Sequence, residues 1–224
     1  MQYKELISGI KNYESSFWFG EYVYFKALER LESVRTDLSK LETNEHVKQI
    51  IKMFLIQWGR MGRTIDRGDL NWEQLTKQLR NSKKIFQKLQ GKTLLDINLE
   101  EKETKNLIKE AYKSAQVRYI GPTAISKILH LLNPDLFVMW DEDIRRKYEV
   151  GGSATGYLEF LKKMKEELEK ALEEEAKRTG KSEREIAERI CKELPSKKLG
   201  RGYDRKTLAK LVDEYNWWAV HRSE

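Results

Sequence analysis

A glycine–proline pair, Gly121-Pro122, separates two helical segments and constrains this chain more than any other feature of its sequence. Residues 105–116 and 123–132 carry apolar side chains at the three- and four-residue spacing of a single helix face. Glycine tolerates the backbone conformations of a tight turn, and proline suits the first turn of a helix, where its missing N–H costs nothing. The pattern therefore predicts two helices joined by a short hairpin at 117–122.

The remaining sequence is also patterned as helices. Apolar residues recur three or four positions apart over 22–41, 47–57 and 72–89, whereas alternating, strand-like runs are nearly absent. The chain has only 3 prolines in 224 residues, so little interrupts its helices. A Ser182-Glu185 pair at the capping-box spacing predicts the start of another helix. We expect an all-α protein.

Composition limits the class of protein. Charged residues make up 35% and apolar residues 39% of the chain, which is typical of a globular domain. Neither a membrane-length apolar run nor an apolar signal segment is present, so we expect a cytoplasmic protein, and we expect a monomer. The single cysteine, Cys191, excludes an internal disulfide and a four-cysteine cluster. The three scattered histidines have no metal-ligand spacing, so we expect no metal site.

The net charge of +7 is concentrated in two tracts. The tract at 77–92 contains no acidic residue, and the tract at 197–210 contains Asp204 alone. Such tracts favour a polyanion as partner, because neutralised phosphates release counterions; the alternative is a solvated helix face and a basic loop. Their basic residues are Lys77, Arg80, Lys83, Lys84, Lys88, Lys92, Lys197, Lys198, Arg201, Arg205, Lys206 and Lys210.

The hairpin has the properties of an anion site. The N-terminus of the helix at 123–132 presents backbone N–H groups and the positive end of a helix dipole, with Arg118 and Lys127 on either side. Asp141 follows the apolar stretch 137–140 and opens a further helix. Its carboxylate suits an N-cap, and it is also placed to act on a nucleotide bound at the hairpin; the two roles are compatible.

From Tyr119-Ile120-Gly121 to Trp140-Asp141 the chain resembles the helix-hairpin-helix (HhH-GPD) DNA glycosylases, as a divergent member. Their hairpin has the pattern Leu-Pro-Gly-Val-Gly-x-Lys-x-Ala, and here Tyr119-Ile120-Gly121 stands in place of Gly-Val-Gly. The family's aspartate lies 20 residues after the second glycine, which is the position of Asp141. The resemblance implies that Asp141 is catalytic and that the backbone of Tyr119 and Gly121 contacts a DNA phosphate.

One departure from the family pattern bears on the reaction. Bifunctional members carry a nucleophilic lysine two residues after the second glycine, and Thr123 stands there in this chain. The resemblance therefore implies a monofunctional DNA-repair N-glycosylase that removes a damaged or mispaired base from double-stranded DNA. It implies no cofactor, except a monovalent cation at the hairpin. Two alternatives stay open: a non-catalytic helix-hairpin-helix nucleic-acid-binding protein, and a helical interaction protein whose basic tracts meet an acidic partner.

Further DNA contacts are predicted outside the hairpin backbone. Besides the hairpin backbone, the predicted contacts are the side chains of Arg118, Thr123, Lys127, Lys197, Lys198 and Arg201. Gln57 ends an apolar helix much as the family's base-replacing glutamine does, and Trp58 and Trp140 are candidates for a base pocket or wedge. The alternative for each is a residue with no role beyond packing.

The resemblance also implies a two-lobed helical architecture with a cleft between the lobes. We expect a barrel-like central lobe over 46–133, which contains the helix-hairpin-helix at 105–132. Residues 1–45 and 134–224 would form the second lobe.

Overall fold

The structure is a computed structural model that describes residues 1–16, 18–43, 45–59, 61–194 and 206–221. The described residues form thirteen α-helices and no strand, which confirms the all-α prediction. In chain order the helices are α1 (Tyr3–Ser16), α2 (Trp18–Thr36), α3 (Lys40–Thr43), α4 (Glu45–Gly59), α5 (Gly62–Asp66), α6 (Trp72–Asn81), α7 (Lys83–Leu89), α8 (Lys102–Ser114), α9 (Pro122–Leu132), α10 (Glu142–Lys147), α11 (Ala154–Thr179), α12 (Glu183–Glu193) and α13 (Leu208–His221).

The two helices of the predicted hairpin are present, as α8 and α9. Residues 115–121 between them are not helical, so the break at Gly121-Pro122 is confirmed. The capping box at Ser182 is also confirmed: the Ser182 hydroxyl accepts a hydrogen bond from the Glu185 N–H, and the Glu185 carboxylate accepts one from the Ser182 N–H.

Two apolar patterns each correspond to two helices rather than one. The pattern over 22–41 is interrupted after Thr36, because the Asp37 carboxylate accepts the Ser39 N–H at 3.1 Å and so competes with the helix. The pattern over 72–89 is interrupted at Ser82, which ends α6 and precedes α7. In both cases the apolar spacing continues across a turn, so the spacing alone does not predict the break between the two helices.

Helix α9 lies at the centre of the fold. It packs against α2, α4 and α8, and all of its residues from Ala124 to Leu132 are buried. The first and last helices pack against each other at Gly9 of α1, where an added Cβ would lie 2.6 Å from the Trp218 ring of α13. Buried apolar residues form one continuous cluster. The division into lobes at 45/46 and 133/134 stays a prediction.

None of the described helices is long and apolar enough to cross a membrane.

Candidate functional site

The tip of the hairpin is a β-turn over residues 117–120, closed by the Ile120 N–H, which donates to the Val117 carbonyl at 3.0 Å. Tyr119 occupies the third position of this turn with φ of 68°, in the left-handed region that glycine usually supplies. The ring is half-exposed, and the Arg118 guanidinium lies over it, 4.7 Å from its centroid. A tyrosine therefore adopts the conformation that the family pattern assigns to a glycine.

Gly121 has an ordinary backbone conformation, so the left-handed residue of the hairpin is Tyr119 instead. Its φ is −82°, and a Cβ added there would meet no atom of the described residues within 4 Å. No described side chain caps α9, and the Ile125 N–H donates to the Gly121 carbonyl. The N–H groups of Thr123 and Ala124 consequently have no partner within the helix. The glycine leaves open space in front of an uncapped helix N-terminus.

Asp141 is the N-cap of α10. Its Oδ1 accepts the Ile144 N–H at 2.8 Å, which fixes the side chain, while Oδ2 has no hydrogen bond or ion pair among the described residues. The residue is partly exposed. The capping interpretation is therefore correct, and one carboxylate oxygen is still available to a ligand.

Trp140 connects Asp141 to the hairpin. Its indole N–H donates to the Pro122 carbonyl at 2.9 Å, and its backbone N–H donates to the Ser126 hydroxyl at 3.2 Å. Only 1% of Trp140 is exposed, and its ring packs against those of Tyr157 and Phe160. In this structure Trp140 has no face open to a base, in contrast to the predicted pocket role. Instead it holds the segment before Asp141 against the first turn of α9.

Arg145 lies at the same junction, and sequence reasoning gave it no role. Its guanidinium faces the Trp140 ring at 5.7 Å, and a Cβ added to Gly152 would lie 3.1 Å from its Nη1 and 2.7 Å from Pro122. The Nε is buried without a hydrogen-bond partner, and no described carboxylate forms an ion pair with the side chain. Nothing in the local sequence distinguishes it from Arg146, so no sequence signal could have identified it.

The other predicted contacts are more widely distributed. Lys127 points into the interior, where its ammonium donates to the Trp58 carbonyl, so it does not extend toward solvent as a phosphate contact would. Trp58 is partly buried and stacks on Phe54, whereas Gln57 is exposed on α4. Thr123 is partly buried beside the hairpin.

The two basic tracts differ from each other. In the tract at 77–92 the lysines are exposed, and Lys88 pairs with Glu103 at 2.6 Å. In the tract at 197–210 the predicted contacts Lys197, Lys198 and Arg201 lie outside the described residues. Lys206 and Lys210 are fully buried, so including these two in a DNA-binding tract was wrong. Burial removes them from any surface that a phosphate could reach.

Lys206 and Lys210 belong to a buried charged cluster that the sequence did not reveal. The Lys210 ammonium lies 3.0 Å from both Glu21 and Glu214. The Lys206 ammonium lies 2.6 Å from Glu214 and 3.2 Å from Glu21, and it also contacts Glu14. The cluster therefore fastens the start of α13 to α1 and α2. Glu14 and Glu21 are almost 200 positions away from the lysines in sequence, so no local pattern links these two carboxylates to them.

Aromatic rings enclose the Lys210 ammonium on its remaining sides. Its Nζ lies 4.7 to 5.1 Å from the ring centroids of Tyr13, Tyr24 and Trp58, which is the range of cation–π contact. Asp213 is the fourth carboxylate here, 3.4 Å from the same Nζ. The cluster thus contains more carboxylates than lysines.

The buried groups have displaced pKa values. Burial raises the pKa of Asp213 to about 6, although Lys210 and Lys127 oppose the change. Burial likewise raises the pKa of Glu214 against the attraction of both lysines of the cluster. Burial alone would lower the pKa of Lys210, but Glu21 and Glu214 outweigh it and hold this pKa well above its usual range. Lys210 is therefore a protonated structural cation rather than a nucleophile.

His130 on α9 is fully buried next to this cluster. Its Nδ1–H donates to the Phe137 carbonyl at 2.5 Å, because a carbonyl oxygen can only accept a hydrogen bond. The other ring nitrogen, Nε2, accepts a hydrogen bond of 2.8 Å from the Tyr24 hydroxyl. Burial lowers the His130 pKa to about 3, outweighing the opposite effect of the Phe137 carbonyl. His130 is a neutral packing residue.

The remaining features of the surface lie away from Asp141. An open groove of about 460 Å³ runs between α7 and α8, lined by Ile85, Lys88, Leu107 and their neighbours. Within the described part of the chain, no group of three or more His, Cys, Asp or Glu side chains is arranged to hold a metal ion. Comparison of the chain with protein-family models, with curated proteins and with solved structures found no significant match.

Proposed function

We propose that this protein is a helix-hairpin-helix DNA-binding protein and that it removes a base from duplex DNA as a monofunctional N-glycosylase. The observation that carries the proposal is the attachment of Asp141 to the hairpin: Trp140, the preceding residue, donates to the Pro122 carbonyl in the first turn of α9. An available carboxylate oxygen and an uncapped helix N-terminus are thus joined through a single buried side chain.

The hairpin supports binding of DNA through phosphate. Two backbone N–H groups at the start of α9 lack helical partners, and Gly121 leaves the approach to them open. The strained conformation of Tyr119 is a second indication, because residues held at positive φ concentrate at functional sites. The net charge of +7 favours the approach of a polyanion.

The proposed reaction is hydrolysis of the glycosidic bond. The C1′–N bond breaks and the base leaves with the bonding electrons, so the sugar carries the positive charge until a water oxygen adds to C1′. The proton that this water loses neutralises the departing base. The Oδ2 of Asp141 would stabilise the sugar cation, while Oδ1 remains bound to the Ile144 N–H and keeps the side chain in place. Thr123 offers no amine, so the strand should stay intact. A monovalent cation at the hairpin stays a prediction from the resemblance.

The second candidate is a helix-hairpin-helix protein that binds DNA without acting on it. The capping bond of Asp141 favours this candidate, since the bond alone accounts for an aspartate at this position. The burial of Trp140 favours it too, because a flipped base needs an open aromatic surface for stacking. Both candidates share the hairpin as the DNA contact and differ only at Asp141.

Incubation of the native protein with a panel of duplexes that each contain one damaged or mispaired base tests the proposal. Alkali cleaves the strand at abasic sites, so a product band at the modified position that needs alkali would support base removal without strand cleavage. Borohydride should trap no covalent adduct with the protein. Binding to the duplexes without formation of any alkali-labile site would support the non-catalytic candidate. Absence of salt-sensitive binding to DNA would contradict both candidate functions.

A further inference from the structure

Arg145 is a partly buried cation without a counter-ion among the described residues. Its Nε is sealed from solvent and bonded to no described group, so an external anion can be met only by the Nη groups of the same guanidinium. Most buried polar groups in folded proteins are hydrogen-bonded, so a guanidinium with an unpaired donor calls for an explanation. Asp141, one helical turn earlier, caps α10 and makes no ion pair with it.

The neighbouring Arg146 shows what an arginine on α10 does when it has only a structural role. Arg146 is 70% exposed, yet it pairs with Asp143 at 2.9 Å and with Glu142 at 3.2 Å. Carboxylates are therefore available on this short helix, yet Arg145 forms no ion pair with any of them.

The position of the Arg145 guanidinium is fixed by packing on three sides. It lies over the Trp140 ring, against the bare Cα of Gly152 and close to Pro122 at the start of α9. Any side chain at position 152 would collide with Pro122 and crowd Arg145. The carbonyl of Gly152 accepts the Tyr112 hydroxyl at 2.8 Å, which fixes the loop in turn. A guanidinium held in this way is ready to bind an anion with little further loss of conformational freedom.

We propose that Arg145 binds a DNA backbone phosphate next to the one bound by the hairpin. This rests on the proposed function, because the phosphate is supplied by DNA bound there. A guanidinium presents several donors in a plane that matches phosphate oxygens, and its contact with phosphate is charge-assisted. Arg145 would thus be a DNA contact on the Asp141 side of the hairpin.

The test is the salt dependence of duplex binding, measured by fluorescence anisotropy between about 50 and 200 mM salt. Each phosphate contact contributes about 0.9 to the slope of log affinity against log salt, so Arg145→Gln should lower the slope by about 0.9 and the affinity by about tenfold near 0.1 M salt. Arg146→Gln removes the same charge one residue away and is the matched control. It should leave the slope unchanged and the affinity within about twofold of native.

The outcomes separate this inference from the proposed function. Equal slopes for Arg145→Gln, Arg146→Gln and native protein would overturn the role of Arg145 while leaving DNA binding in place. Native protein that shows no salt-dependent binding would overturn the proposed function itself. Arg145→Lys keeps the charge without the planar fork, so it should keep the native slope with weaker binding, and it replaces Arg145→Gln if that variant does not fold. Inorganic phosphate that raises the melting temperature of native protein and not that of Arg145→Gln, together with equal slopes of DNA binding for the two, would assign Arg145 to a free anion instead.

Discussion

The raised pKa of the buried Asp213 carboxylate predicts how the stability of the folded protein depends on pH. The folded state raises the pKa of Asp213 from 3.8 to about 6, chiefly through burial. Because the pKa is raised on folding, the contribution of this group to stability is fully present below pH 3.8 and is lost as the pH rises through 6. A shift of about two units corresponds to about 3 kcal/mol when the group is fully ionised.

Asp213→Asn keeps the shape of the side chain and removes its titration. The stability of this variant relative to native protein should therefore rise by about 2 kcal/mol between pH 4.5 and pH 7.5. Urea unfolding followed by tryptophan fluorescence, at several pH values and constant ionic strength, measures the difference. Asp69→Asn makes the same chemical change at an exposed position and provides the control. If the free energies of unfolding of Asp213→Asn and native protein differ by the same amount at every pH, the pKa of Asp213 is not raised on folding.

Three further substitutions have expected outcomes. Gly121→Ala should change the free energy of unfolding by less than about 1 kcal/mol, because an added Cβ meets no atom within 4 Å, yet it should weaken DNA binding severalfold in an anisotropy assay by obstructing the hairpin. Gly9→Ala should destabilise the protein by about 1–3 kcal/mol in urea unfolding, since its Cβ would collide with the Trp218 ring. Lys210→Met should cost about 3–5 kcal/mol in the same assay, because it leaves Glu21 with less compensation for its buried charge.

The helices could be predicted from the sequence because their causes are local. Apolar spacing, the Gly121-Pro122 break and the Ser182 capping box each act within a few residues, and the structure contains the corresponding helices and caps. The turn at Asp37 escaped prediction because a side chain that competes with the helix backbone leaves no mark on the apolar pattern.

The burial of these charges could not be predicted, because it depends on a carboxylate that is distant in sequence. Counting cations along 197–210 places Lys206 and Lys210 on a basic surface, whereas in three dimensions the distant Glu21 and the nearby Glu214 surround them. The sequence also gives no indication of the unpaired Arg145 Nε, because its burial depends on packing against residues such as Gly152. The candidate site was thus predictable at the hairpin backbone and at Asp141, and not in the groups that surround them.

The most direct test of the account is the rate of base release by native protein and by Asp141→Asn, measured in single turnover with enzyme in excess over a damaged duplex. Asparagine is as good an N-cap as aspartate, so the variant should fold and bind DNA as the native protein does. Native protein is expected to release the base, and Asp141→Asn is expected to be slower by at least about a hundredfold. Equal rates for the two proteins, at matched occupancy of DNA, would contradict the catalytic role of Asp141.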